Sequence, residues 1–398
     1  MKKFIAVCAV LLFVAPAFAA DWAFYGSQRV HTYYMYNDYG SQAVATRPSN
    51  NGVASATGDD NDWGLQWAFQ PGSRFGAKVK ADKVSGQIEM GLNMNNANSG
   101  SAGGTNSQSS TNGTSGGDGF VSMRRAYGVW KFADGASLKV GKDYTPVSNL
   151  TSGTVFDDDG NFLGVGDFYG ARPGQLALEL GAFEIAFITN KVAAGALPSA
   201  ATADADYNLP KVEARYTFKM DKFQIIPYGG AQYFKVSQGS SALTDDLDII
   251  SYVVGGVVKA DIGAFYIIGQ AAYGQNWSNA GWASGTNGFG ANAASASLDG
   301  TDDVNDAESW LVGLIAGLKF TDTLKFEAGV GYRVDDTGIS GYDDAVGWKA
   351  YGQVVWTLAP GVYLVPEAGY IDYGQTVTGD ADNYGYTWYA GAKWQIDF

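Results

Sequence analysis

The chain is poor in the residues that many folds and most enzymes depend on. Its 398 residues hold one cysteine, one histidine and 10 prolines. The cysteine, Cys8, lies in an N-terminal apolar run expected to be cut away, so no disulfide supports the rest. His31 is the single side chain that titrates near neutral pH. No fixed Asp partner for it is visible, which disfavours a hydrolase or protease. Lys and Arg number 26 against 40 Asp and Glu, a net charge of −14 that disfavours nucleic acid as a partner. No Gly-Lys-Ser/Thr phosphate loop is present. Beyond residue 19 no run of 18 apolar residues occurs, which excludes a membrane-spanning helix. Apolar residues at the i, i+3, i+4 spacing of a helix are scarce.

Residues 1–19 read as a secretory signal peptide: Lys2 and Lys3, an apolar stretch from Phe4 to Val14, and Ala17-Phe18-Ala19 as a small-x-small cleavage site. The stretch is too short for a membrane anchor, and Cys8 lies mid-run rather than at the cleavage point of a lipoprotein. Losing Lys2 and Lys3 takes the net charge from −14 to −16 for the remaining residues 20–398.

What is abundant is glycine, 54 residues, and aromatics, 14%. In the closing segment Tyr384, Tyr386, Trp388, Ala390, Ala392, Trp394, Ile396 and Phe398 alternate with polar or small residues. Side chains of a strand point to opposite faces in turn, so this strand has one apolar and one polar face. Residues 211–220, 324–335 and 346–358 repeat the pattern. Seven short turns alternate with eight long, polar loops, at about 37–61, 94–119, 145–171, 191–208, 237–247, 276–307, 336–345 and 374–383. Sixteen strands follow, near 22–36, 62–81, 86–93, 120–132, 136–144, 172–180, 183–190, 209–220, 222–236, 248–260, 262–275, 308–320, 324–335, 346–358, 362–373 and 384–398.

An even strand count, with short turns at one end and long loops at the other, marks an all-β fold. It is a closed antiparallel transmembrane barrel, with long extracellular loops and short periplasmic turns. Closure is required because unpaired backbone groups cannot be hydrated in hydrocarbon, so the last strand is expected to pair with the first. Tyr386 and Trp388 would lie toward one interface, Trp394 and Phe398 toward the other. A soluble sandwich of two sheets also alternates, but needs no strict succession of long and short connections.

The stretches "FYGSQRVHTYY" (24–34), "SRFGAKVKAD" (73–82), "SMRRAYGVWKF" (122–132), "VGKDYTP" (140–146) and the terminal "YAGAKWQIDF" resemble the trimeric general porins of Gram-negative outer membranes. The resemblance implies a homotrimer in outer-membrane lipid and lipopolysaccharide that passes small polar solutes. It implies that Phe398 and Trp394 belong to a signal read by the barrel-assembly machinery. It further implies that the third long loop, 145–171, folds into the barrel and sets acidic residues (Asp157, Asp158, Asp159, Asp167) against a basic wall of Arg29, Arg74, Lys78 and Arg124. The Pro-Glu-Phe-Gly-Gly type of motif common in that loop is absent here.

Charge on the strands supports a wet interior independently. A Lys or Arg facing lipid at the midplane costs about 2–4 kcal/mol, so Lys139, Arg215, Lys325, Arg333 and Lys349 are expected to face water. A barrel of sixteen strands is wide enough for a channel. Arg124 and Arg125 are adjacent, so one of them is expected to point outward, into a subunit interface. "DDDGN" (157–161) offers oxygen ligands for Ca2+, but Phe162 stands where the EF-hand loop needs glycine, so neither a metal nor a cofactor is expected. The function this implies is a passive diffusion channel, with a substrate-specific channel or a structural or adhesive surface barrel as alternatives. Basic walls and acidic loops bias ion flow in opposite directions, which leaves the ion preference open.

Overall fold

The computed structural model describes residues 20–38, 61–70, 72–93, 120–160, 162–190, 197, 205–236, 245–282, 294–299, 303–374 and 385–398, and the reading of 1–19 as a signal peptide lies outside them. Antiparallel pairing runs from strand to strand around a complete circuit. The strands are β1 (Asp21–Asp38), β2 (Asn61–Phe69), β3 (Arg74–Ala81), β4 (Val84–Asn93), β5 (Phe120–Ala133), β6 (Ala136–Lys142), β7 (Gly174–Leu180) and β8 (Phe183–Ile188). They continue through β9 (Ala205–Asp206), β10 (Lys211–Tyr216), β11 (Phe218–Met220), β12 (Phe223–Val236), β13 (Leu247–Ile262) and β14 (Phe265–Gln275). The circuit ends with β17 (Glu308–Lys319), β18 (Leu324–Asp336), β19 (Ala345–Ala359), β20 (Val362–Asp372) and β21 (Tyr386–Asp397). Strands β15 (Ser297–Asp299) and β16 (Asp303–Asn305) form a separate hairpin. β1 pairs with β21 from Ser27↔Asp397 to Asp38↔Tyr386, and this pairing closes the barrel.

Two of the sixteen crossings are broken where unbroken strands were expected. Instead of one strand over 62–81, β2 and β3 divide the far edge of β1, β2 against Val30–Asp38 and β3 against Asp21–Ser27. Between them in sequence stands Pro71, outside the described residues, which has no N–H to give to a ladder. Its flanks are held by Gln70 N–H to the Arg29 carbonyl (2.9 Å) and Arg29 N–H to Ser73 Oγ (3.0 Å). The 209–220 strand is likewise divided at Thr217 into β10 and β11.

A third irregularity decides the direction of two side chains. In the β4–β5 ladder Glu89 pairs with Arg125 while Met90 pairs with Met123, leaving Arg124 as the extra residue of a β-bulge. A bulge sets two residues against one and shifts the alternation by a step. Both arginines therefore point into the barrel, which corrects the expectation that one faces outward.

The barrel is inverted relative to a soluble sheet protein. Its outer face is apolar, with Phe24, Phe398 and Trp67 among the most exposed side chains (79%, 71% and 64%). Its buried side chains point to the lumen and meet loops folded in from the end opposite the tight turns. One cluster joins Val147 and Phe168 of loop 145–171 to Trp277 and Trp282 of loop 276–307. Another joins Val155 and Phe156 to Tyr33 and Tyr389.

Candidate functional site

Loop 145–171 crosses the lumen and is pinned to one side of it by wall carboxylates and cations. Glu213 on β10 accepts from the Val147 N–H (3.3 Å). Glu327 on β18 accepts from the Gly153 N–H (2.7 Å), Tyr351 Oη (2.8 Å), Gln353 Nε2 (3.0 Å) and Tyr266 Oη. Glu367 on β20 accepts from Val155 N–H (2.8 Å), Phe156 N–H (3.1 Å), Thr154 Oγ1 (2.9 Å) and Tyr389 Oη (2.9 Å). The single helical turn α1 (Phe156–Asp159) follows, with the Phe156 ring stacked 3.8 Å from Tyr389. Asp159 then pairs with Arg29 of β1 and with Lys393 of β21 (3.1 Å). On the return path Arg333 of β18 donates to the Gly164 carbonyl (3.0 Å). Here backbone meets backbone: a Cβ at Gly331 or Gly313 would stand 2.8 or 2.2 Å from Gly166, so only glycine allows this approach.

Each of the three glutamates gives a loop backbone N–H a charged acceptor in place of water, and such bonds are about twice as strong as neutral ones. Burial pushes the Asp159 carboxyl pKa up, but Lys393 and Arg29 pull harder, and it is held below the ordinary Asp range. Asp167 is used inside the loop: it accepts from the Thr151 and Ser152 N–H groups (both 3.0 Å) and both hydroxyls. Burial raises its carboxyl pKa despite those donors.

The opposite wall faces the remaining space. Glu89 is shared by Arg124 (3.1 Å), Arg74 (3.7 Å) and Tyr25 Oη (3.0 Å). Arg125 pairs with Asp143 (2.7 Å) and lies against the Tyr127 and Tyr144 rings at 5.3 and 5.6 Å. Lys139 lies 3.4 Å from each of Asp143, Glu179 and Glu184, and Glu184 also binds Arg215 (2.7 Å). Lys78 lies four residues below Arg74 toward the short turns, in a groove of about 460 Å3 shared with Lys80, Gln87 and Tyr127. Six cations (Arg74, Lys78, Arg124, Arg125, Lys139, Arg215) thus meet four carboxylates (Glu89, Asp143, Glu179, Glu184).

The sequence-derived residues therefore separate into groups. Arg74 and Arg124 come together across Glu89. Arg29 lies within electrostatic reach of Arg74 but is buried beneath the loop, 5% exposed, and paired with Asp159. Asp167 faces its own loop, and the side chains of Asp157 and Asp158 lie outside the described residues. Lys325 sits beside Glu327 (3.3 Å), while Arg333 and Lys349 are buried on the side the loops cover. His31 is buried against Tyr33, and neither ring nitrogen has a hydrogen-bond partner among the described residues. At the rim Phe398 exchanges both backbone hydrogen bonds with Gly26 (2.7 and 3.0 Å) and leaves its ring exposed. Trp394 is exposed on the same face, its Nε1 3.4 Å from Thr32 Oγ1. No group of His, Cys, Asp and Glu suited to a metal occurs among the described residues.

The carboxylates Glu213, Glu327 and Glu367 and the tryptophans of loop 276–307 were not singled out from sequence. The three glutamates share the inward parity of their strands, and that parity was the available signal.

No protein-family model and no curated relative matches the sequence. Solved structures do match over nearly the whole chain, at low identity. The outer membrane channel DcaP of Acinetobacter baumannii is 15% identical with a TM-score of 0.67, over 96% of this chain and 98% of that one. An anion-selective porin from Comamonas acidovorans is 12% identical with a TM-score of 0.55, over 95% and 100%. Salmonella typhi OmpF, solved with daunomycin, is 13% identical with a TM-score of 0.54, over 95% and 98%. The fold is that of Gram-negative outer-membrane porins.

Proposed function

We propose that this chain, exported through a signal peptide at 1–19, is an outer-membrane porin through which small hydrophilic solutes and ions diffuse passively. The observation that carries the reading is the inside-out partition of the barrel. Charged and hydrogen-bonding side chains line the lumen, and large apolar ones cover the outside. An aqueous path is the one environment in which so many lumenal charges cost little. The constriction lies between loop 145–171 and the wall of Arg74, Arg124 and Arg125. Lys78 extends the basic surface toward the periplasmic turns. Selectivity in such a passage comes from its size and its charged groups, and the surplus of cations over carboxylates favours anions.

Assembly as a homotrimer is part of the proposal. It rests on the resemblance of the early strands to trimeric porins and on the apolar outer face that carries Trp22, Phe24 and Phe398. Native mass measurement in detergent tests it, and a monomer at all concentrations would refute it. Conductance of purified protein in planar bilayers tests the channel. Open, ohmic steps support it; silence at all voltages would leave a structural or adhesive barrel. Competition of that current by candidate solutes separates a general from a substrate-specific channel.

A further inference from the structure

The start of the polar loop 276–307 does not stay outside the barrel. Its first residues turn in after β14 and bury Trp277 and Trp282 completely, on the side of the lumen walled by β10 to β17. Asn276 is fixed by the Ala307 N–H on Oδ1 (2.9 Å), while its Nδ2 donates to Asp306 (2.6 Å) and its carbonyl accepts from Ser251 Oγ (2.9 Å). Lys211 of β10 donates to the Ala280 carbonyl (3.0 Å) and lies 5.2 Å from the Trp282 ring. The wall is shaped for that ring: a Cβ at Gly230 would stand 2.9 Å from it. The segment also touches the other infolded loop. The Trp277 ring meets Phe168 edge-on at 5.0 Å. Glu213 joins the two loops directly, with Trp282 Nε1 on one carboxylate oxygen (2.7 Å) and Val147 N–H on the other (3.3 Å).

We infer that residues 276–282 are a second restriction element of the pore, and that Glu213, Trp277 and Trp282 are specificity-determining positions. The inference rests on the channel reading and names what sets the channel's cross-section. Trp277 against Phe168 and Trp282 against Gly230 and Lys211 fill the lumen beside β10–β17, so solutes must take the passage along the cationic wall. Glu213 acts as a positioning residue that holds both loops to one strand. On the filled side the charges nearly cancel, Lys211 against Glu213 and Arg333 against Asp335 (2.9 Å). Opening that side would therefore add a wider path with little ion preference.

The test compares wild type, W277A/W282A and E213Q in planar bilayers and in liposome-swelling assays with sugars of graded size. Retained heat-modifiable gel mobility shows that each barrel is closed. The double variant is expected to raise single-channel conductance about 1.5- to 2-fold, admit larger sugars and move the reversal potential toward zero. E213Q keeps the volume but turns one oxygen into a donor facing donors, and is expected to give flickering between two conductance levels. A closed double variant with wild-type conductance, size limit and reversal potential overturns the inference while leaving the channel intact. A wild type that does not conduct overturns the channel reading instead.

Discussion

Removing Arg74 and Arg124 together is the sharpest perturbation of the constriction. The two guanidiniums share Glu89, so the cluster carries a net charge of +1, and R74A/R124A leaves −1. Neither arginine is deeply buried (31% and 15% exposed), so a water-like dielectric applies. A permeating monovalent ion roughly 6 Å from a unit charge feels about 0.7 kcal/mol in water, cut to about 0.4 kcal/mol by screening at 0.1 M salt. Two units of charge change the energy of an anion and of a cation by about 0.8 kcal/mol each, in opposite directions. The combined change of about 1.5 kcal/mol is roughly a tenfold shift of the anion-to-cation permeability ratio toward cations. Reversal potential in a salt gradient across a planar bilayer reads this ratio directly. Repeating the measurement near 1 M salt, where the Debye length is about 3 Å, should nearly abolish the shift. E89Q takes the cluster from +1 to +2 and should move the ratio about threefold the other way. Unchanged reversal potential and conductance in the double variant would show that these arginines do not border the ion path.

E367Q replaces two acceptor oxygens, which take bonds from Thr154, Val155, Phe156 and Tyr389, with one acceptor and one donor. Losing one or two charge-assisted bonds of about 1.5–3 kcal/mol each should lower the melting temperature and raise open-channel noise, and a quiet channel with wild-type melting would contradict the anchoring role. Asp159 has a depressed carboxyl pKa, so its hold on Arg29 and Lys393 is fully present above the ordinary Asp value of 3.8 and is lost as pH falls through the lower folded value. Channel noise should therefore stay flat from neutral pH down to about that value and rise only below it, while D159N should be noisy at every pH; acid-sensitive gating in wild type near pH 6 would count against Asp159.

Much of the fold was written locally. Alternation of apolar and polar residues, tight turns at one end and polar loops at the other specify strands with one lipid face and one wet face. A period of two needs no information from elsewhere in the chain. Parity also supplied the expectation that basic residues on the strands face water, because a charge among apolar outward residues is too costly in lipid. The exceptions lie where that local rule breaks. The bulge at Arg124 depends on how β5 meets Glu89 of β4, and one inserted residue turned a supposed outward arginine into a second lumenal one. The division of the second crossing is fixed by the hydrogen bonds that Arg29 of β1 makes with Gln70 and Ser73. Which carboxylates bear on the pore was decided only in three dimensions. Asp167 and Asp159 look alike in sequence. One caps its own loop and the other binds Arg29 and Lys393, because the path of loop 145–171 is set by donors and acceptors on distant strands. Loop 276–307 reads as polar linker by composition, yet Trp277 and Trp282 find an apolar site made by Phe168, Tyr228 and Val253. Composition averages over a segment, whereas burial is determined by the few side chains that meet a complementary surface from another part of the chain.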